Sequence, residues 1–202
     1  MAQWTTRLVP AILLGLALGC AFTTETIHLE YKPSLAPAKV AGAEGIRVTV
    51  AMKDVRPNPS KEVARKINGF GQEMAPILND EEIPGLVRRA VEAELKARGY
   101  DLEASGVVLS VELVVFMHRY SSGVFSGDSE ATVTLRARVL DAAGAERFAE
   151  TVSDTFKHAA GVFGGGNVKE AYEVALPGAV AKLMALPALH EALAKVGKPP
   201  SP

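Results

Sequence analysis

The chain has 202 residues and a formal net charge of −1, so it lacks the excess of basic residues that nucleic acid or a polybasic contact with anionic lipid requires. Its single cysteine excludes a disulfide framework within the chain. The length fits one domain with a sizeable core, and composition alone points to no activity.

The first twenty residues have the layout of a secretory signal. Arg7 supplies a positive charge, Leu8 to Leu18 form an apolar run, and small residues lead up to Cys20. The run is shorter than the roughly 20 apolar residues that span a bilayer. We therefore expect residues 1–19 to be a cleaved signal peptide.

The end of this segment resembles the lipobox of bacterial lipoproteins, whose cysteine is lipidated and becomes the first residue. Most lipoboxes have leucine three places before the cysteine, where this chain has Ala17, so an ordinary cleaved signal or an uncleaved anchor is the alternative. Acyl chains such as palmitate on Cys20 would hold the protein at a membrane and give the lone cysteine a role. Ala21 stands where aspartate favours inner-membrane retention in enterobacterial lipoproteins. The resemblance therefore implies the periplasmic face of the outer membrane of a Gram-negative bacterium.

The remaining chain divides into three parts. Residues 20–45 are expected to contain the lipidated N-terminus, a short strand at Thr26–Tyr31 and a linker rich in proline, glycine and alanine. Residues 46–196 are expected to form a single domain. Residues 197–202 are expected to be a disordered polar tail.

The first half of the domain combines a strand, a long connection and a helix. Apolar alternation predicts a strand over Ile46–Asp54, and the connection Pro57–Asn79 is long enough to contain a short strand at Glu62–Ile67. An apolar stripe predicts a helix over Asn79–Arg98, with Asn79 or Asp80 as its cap and Gly99 in the left-handed position after its end.

The second half of the domain is predicted to be a three-stranded meander followed by helices. The strands are expected at Val107–Tyr120, Ala131–Leu140 and Arg147–Lys157. A helix bent at Pro177 is predicted from Asn167 to about Met184, and a short helix over Pro187–Val196. Strict alternation in the first strand would place Met117 on the apolar side and His118 on the solvated side.

Together these elements predict an α+β fold. It has a four- to five-stranded, antiparallel-rich sheet in the order β-α-β-β-β-α, with two main helices packed on one face.

This order resembles the YajG family of bacterial lipoproteins. The resemblance lies in fold features, which are the strand from Ile46 to Asp54 with Arg56 after it, Ala97-Arg98-Gly99-Tyr100, the strands Val108–Val115 and Ala131–Val139, and the helix from Asn167. It implies a fold and an envelope location, and no activity.

The sequence shows no arrangement typical of catalysis. None of its four histidines stands at ligand spacing from another or from the cysteine, and there is no HExxH, GxSxG or phosphate-loop motif. A wall-modifying hydrolase would need convergent carboxylates or a nucleophile with its base. We therefore predict a non-enzyme with no metal and no cofactor.

Two loops with the same Val-Phe pair are the strongest candidates for a binding site. In a meander, the strands before these loops run in the same direction, and a crossover helix would make the strand ending at Asp54 parallel to them. All three strand ends would then lie at one edge of the sheet. The candidate partner-binding edge consists of Asp54, Arg56, Val124, Phe125, Val162 and Phe163. The alternative is that both phenylalanines fold back and cover the end of the core.

From these observations we predict a lipid-anchored, non-catalytic module that binds or scaffolds an envelope protein, with contact to the membrane through Cys20 and none to nucleic acid. The alternative function is an accessory protein that carries a lipid or other apolar ligand for envelope transport. A deep apolar cavity would favour that alternative.

Overall fold

The computed structural model describes residues 22–33, 37–68, 70–122, 127–141, 143–160 and 163–197. These residues form a mixed α+β domain with eight strands in two sheets and three helices. In chain order the elements are β1 (Glu25–Ile27), β2 (Arg47–Asp54), β3 (Glu62–Ile67), β4 (Glu73–Asn79), α1 (Ile83–Ala97), β5 (Asp101–Leu102), β6 (Val107–Ser122), β7 (Gly127–Leu140), β8 (Glu146–Ala160), α2 (Gly165–Met184) and α3 (Pro187–Gly197).

The larger sheet has the strand order β5-β2-β6-β7-β8. Strands β6, β7 and β8 form the predicted antiparallel meander. Strand β2 is parallel to β6, because α1 carries the chain from one to the other as a crossover connection. The predicted α+β class is confirmed, and this five-stranded sheet lies within the predicted four to five strands, with two parallel and two antiparallel pairs.

Helices cover one face of this sheet. Helix α2 packs against β7 and β8, and α1 packs against β2. The inward residues of β7 are completely buried from Ala131 to Val139 at every second position, as the alternating pattern predicts. Helix α2 continues through Pro177, and a Cβ atom on Gly178 would lie 1.8 Å from Asp154 Oδ2, so a larger residue there would have to displace the Asp154 carboxylate.

Helix α1 begins later than expected. Its first residue is Ile83, with Pro84 in the first turn, and Glu82 precedes it without a side-chain cap. The prediction that Asn79 or Asp80 caps the helix is therefore wrong. Asn79 is buried, and its Oδ1 accepts a hydrogen bond from Leu29 N at 2.9 Å. At the other end, Gly99 has a φ of 99°, as predicted.

The smaller sheet has the order β1-β4-β3 and contains the strand that the sequence did not predict. Strand β3 has the predicted bounds, and β1 is shorter than the predicted Thr26–Tyr31. Strand β4 was expected to be loop because it contains Pro76. That proline is tolerated because β1 pairs with β4 only from Ile77 onward, so the missing N–H has no partner strand on that side.

The N-terminal segment packs onto the domain at Leu29 and Tyr31. Leu29 is 2% exposed, and the hydroxyl of Tyr31 donates a hydrogen bond to Glu94 Oε1 at 2.5 Å. Glu94 is fully buried and is paired with Arg98 one turn along α1. Burial and the neighbouring carboxylate raise the pKa of Tyr31, which keeps its hydroxyl a donor.

Candidate functional site: a groove beside strand β6

The far half of β6 has no partner strand on one side. Strand β2 pairs with β6 only as far as the register Asp54 to Leu113, while β6 continues to Ser122. The last bond on this side runs from Val55 N to the carbonyl oxygen of Leu113, at 3.1 Å. Among the residues that the structure describes, no strand pairs with this edge of β6 beyond Leu113.

A groove of about 1080 Å³ lies along this open edge. We call it the β6 groove. Its walls are residues 114–121 of β6 and residues 62–65 of β3, joined by the segment from Arg56 to Ser60. Consecutive residues of both strands line it, so the groove is in contact with strand edges and not only with one face of a sheet.

The rim of the β6 groove carries both signs of charge. Its charged side chains are Arg56, Arg65, Arg119, Lys157, Glu62, Glu73, Asp128 and Glu130. Some are paired across the rim, with Lys157 Nζ 2.7 Å from Asp128 Oδ2. A mixed lining of this kind suits a polar chain with apolar side groups better than a purely apolar ligand.

A bulge decides which side chains face the groove and which face the core. The register between β6 and β7 shifts between Leu113 and Val115, and this reverses the alternation predicted for the second half of β6. Phe116 is therefore 7% exposed beneath α2, and Met117 is 39% exposed. The expectation that Met117 faces inward and that His118 is solvated is wrong for this reason.

His118 belongs to a cluster of rings under the start of α2. Its ring lies 5.5 Å from that of Phe163 and 6.2 Å from that of Tyr172, measured between centroids. Burial, with a smaller contribution from nearby His158, lowers the pKa of His118 to about 4. His118 is therefore neutral at physiological pH.

The contact between His118 and Ser129 has a structural explanation. His118 Nε2 lies 2.8 Å from Ser129 Oγ, and that hydroxyl donates to the carbonyl of Asn167 at 3.2 Å. Ser129 is fully buried, so its oxygen does not face the groove. A serine nucleophile would have to give its proton to the histidine and reach a substrate, and this arrangement provides neither.

Asp54 and Arg56 of the predicted edge form a tight pair. Arg56 Nε and Nη2 donate to the carboxylate of Asp54 at 2.7–3.1 Å, and Nη2 also donates to the carbonyl of Ser60 at 2.9 Å. Burial raises the pKa of Asp54, but the hydrogen bonds and charge of Arg56 outweigh it and hold the pKa below its usual value. The pair fixes the chain where it leaves β2, and Arg56 lines the β6 groove.

Phe163 lies farther along the sheet than this pair. Its ring packs 4.6 Å from that of Tyr120, and its side chain is half-buried against the core. Leu113 is the residue of β6 that pairs with Asp54, and Tyr120 is seven positions beyond it. The distance along β6 between the two levels is therefore roughly 20 Å. Val124, Phe125, Val162 and Cys20 lie outside the described residues. Partner binding at this edge stays a prediction.

Two further observations concern metal ligands and membrane-spanning helices. No group of three or more histidine, cysteine, aspartate or glutamate side chains within the described ranges has the arrangement of a metal site. No single described helix is long and apolar enough to cross a membrane; α2 and α3, which meet at a bend of 59°, pass together by length and composition alone.

The fold and the groove define a single α+β domain with an open-edged sheet, and comparison assigns it to a family. Residues 33–192 match the model of a family described as uncharacterized lipoprotein, so the chain belongs to this family, and the predicted YajG-like resemblance is confirmed. No curated protein matches the chain at a significant level.

Two solved structures are similar to the chain at low sequence identity. A Xanthomonas campestris protein of the DUF330 family has a TM-score of 0.59 and 16% identity, covering 84% of this chain and 97% of its own. A minor lipoprotein of Acinetobacter baumannii has a TM-score of 0.44 and 8% identity, covering 72% of this chain and 92% of its own. The first of these likenesses supports the α+β fold described above.

Proposed function

We propose that this protein is a lipid-anchored, non-catalytic binding module that holds an extended segment of an envelope protein in the β6 groove. The observation that carries the proposal is the unpaired half of β6, which forms one wall of a groove of about 1080 Å³.

The open edge favours a polypeptide as the bound partner. Every second residue of an edge strand directs its N–H and C=O groups away from its neighbour, and a strand of another chain satisfies them with its own backbone. The eight or so residues from 114 to 121 match the length of an ordinary strand. The side chains on the rim then select among partner sequences.

The alternative function, carriage of a lipid or other apolar ligand, has less support. Such a carrier needs a deep apolar cavity between the sheet and its helices. That space is occupied by packed side chains, among them Leu135, Val180 and Leu183, each of which is completely buried. The β6 groove has charged side chains along its rim and lies outside this core.

The lipid anchor and the location of the protein in the envelope are also part of the proposal. The family of uncharacterized lipoproteins supports attachment through lipid, and Cys20 is the residue that carries it in our proposal. Because Ala21 follows the cysteine, we place the protein on the periplasmic face of the outer membrane. The structural roles of His118 and Ser129 support a module without catalytic activity.

Site-specific photocrosslinking in intact cells tests the groove. A crosslinking side chain at Met117, which is 39% exposed and lines the groove, is expected to trap one discrete envelope protein. Val108 is the matched control, because it is 42% exposed on the same strand but lies where β2 occupies the edge. Equal adducts at both positions, or none at Met117, would contradict the proposal.

A further inference from the structure

The turn between β3 and β4 presents an exposed aromatic side chain. Phe70 is 91% exposed at this tip. Asn68 Oδ1 accepts hydrogen bonds from Phe70 N at 2.9 Å and from Gln72 N at 3.0 Å. Gly71 has a φ of 78°, which a residue with a side chain rarely adopts. This turn therefore holds Phe70 away from the domain.

The pairing of β1 with β4 brings the lipid-bearing end of the chain to the same side. The two strands are parallel, with Glu25 level with Ile77. Since β4 runs away from the turn, the chain enters β1 at the end nearer the turn, after a bend at Thr23. Phe22, three residues before Glu25, is 69% exposed. Cys20 is two residues farther, within about 7 Å of Phe22.

The segment before β1 and the hairpin turn before β4 can extend similar distances from the paired residues Glu25 and Ile77. Cys20 is five positions before Glu25, which allows at most about 17 Å along the direction of β1. Phe70 is seven positions before Ile77, roughly 20 Å along the β3–β4 hairpin, part of which is used in the turn. The turn therefore lies within reach of a bilayer that holds lipid on Cys20.

The chemistry of the turn suits a lipid surface. Residues 67–72 contain no charged residue, and Ile67 and Phe70 are apolar. The basic residues Arg65 and Lys66 lie immediately behind them in β3. Arg65 is paired with Glu62 and Lys66 with Glu25, so the uncharged tip with its exposed aromatic ring, rather than a basic patch, suits the headgroup region of a membrane.

From these positions we propose that Phe70 enters the membrane surface beside the lipid anchor, with Phe22 next to it, and forms a second contact that orients the domain. This inference rests on the proposed attachment through Cys20 and does not require a partner in the β6 groove, which the same hairpin lines through Arg65, Ile67 and Glu73. A lipid anchor alone leaves the domain free to rotate, whereas two contacts fix which side faces the periplasm.

Tryptophan fluorescence of the mature lipidated protein tests this contact. The only tryptophan is Trp4, which lies in the predicted signal peptide, so each of the variants Phe70→Trp, Phe22→Trp and Leu140→Trp carries a single reporter after cleavage. Glu25 Oε1 accepts a hydrogen bond from Gly165 N at 3.1 Å, which places the anchored end beside the end of β8. Leu140, 38% exposed, lies at the opposite end of the sheet and is the control.

The proteins are reconstituted into phosphatidylcholine vesicles with and without brominated acyl chains, and intact mass confirms the lipid. We expect Phe70→Trp to show blue-shifted emission and at least threefold stronger quenching than Leu140→Trp, with Phe22→Trp quenched as well. If Phe22→Trp is quenched and Phe70→Trp is not, the inference is overturned, whereas the proposed attachment through Cys20 still stands. If neither is quenched, both the anchor and the inference fail. No partner protein is present, so the groove does not affect the result.

Discussion

Replacing Tyr172 with alanine is expected to lower the free energy of unfolding by about 4 kcal/mol. Tyr172 is 1% exposed in α2, and its ring stacks on that of Phe116 with centroids 4.1 Å apart and planes inclined by 5°. Its hydroxyl donates to the carbonyl oxygen of Val63 in β3 at 3.0 Å. The side chain therefore connects α2 to both sheets, and its loss leaves a large cavity between them.

The variant Tyr172→Phe separates packing from hydrogen bonding. Burial raises the pKa of Tyr172, so the hydroxyl stays protonated and remains a donor in the native protein. Removing only this hydroxyl should cost about 1 kcal/mol, because the ring contact with Phe116 is kept. Urea denaturation of the two variants measures both values. If Tyr172→Phe and Tyr172→Ala lower the free energy of unfolding equally, the view that ring packing holds the two sheets together is contradicted.

Acidification from pH 7 to pH 5 is expected to destabilise the protein by about 2 kcal/mol through His118 alone. The pKa of His118 is about 4 in the folded protein, where burial is the main cause, and about 6.5 when the chain is unfolded. Between these values the unfolded chain binds a proton that the folded protein excludes. Stability is therefore complete above pH 6.5 and falls as the pH approaches 4.

The variant His118→Gln isolates this effect from the titration of other groups. Glutamine does not titrate and can still bond to Ser129, whereas His158 and the carboxylates are common to both proteins. The free energy of unfolding, measured from pH 4 to pH 8, should fall more steeply for the wild-type protein below pH 6.5. Parallel curves for the two proteins would show that His118 is accessible to protons in the folded state.

Elements with a complete local signal are predicted well from the sequence. Strand β3 has the predicted bounds, and the helix that ends before Gly99 has the left-handed residue where the pattern places it. The three strands of the meander follow from alternation between turn residues. In each case nearby residues are enough for the prediction, because the hydrophobic periodicity of an element and the residues that end it are local properties of the sequence.

Strand β4 was missed because its stability comes from distant residues. Its sequence contains Pro76 and has no regular alternation, so nothing local indicates a strand. It forms because β3 pairs with it on one side and β1, whose residues are 52 positions earlier than their partners, pairs on the other. The same pairing puts the N-terminal strand beside β4, and this neighbourhood also could not be predicted.

The candidate site was only partly predictable for a similar reason. The direction of β2 relative to β6 was expected, but β2 ends halfway along its neighbour, and this length difference creates the open edge. The bulge after Leu113 then brings Phe116 and His118 inward. A one-residue shift reverses every later side chain, and a single sequence does not show where such a shift falls.

The intact mass of the mature protein, isolated from bacterial envelopes, tests the central claim most directly. Attachment through Cys20 predicts a chain that begins at this residue and carries the additional mass of its acyl groups. The variant Cys20→Ser should lose this added mass and should no longer sediment with membranes. A Cys20→Ser protein that sediments as firmly as the wild type, with no acyl mass on either, would contradict the account.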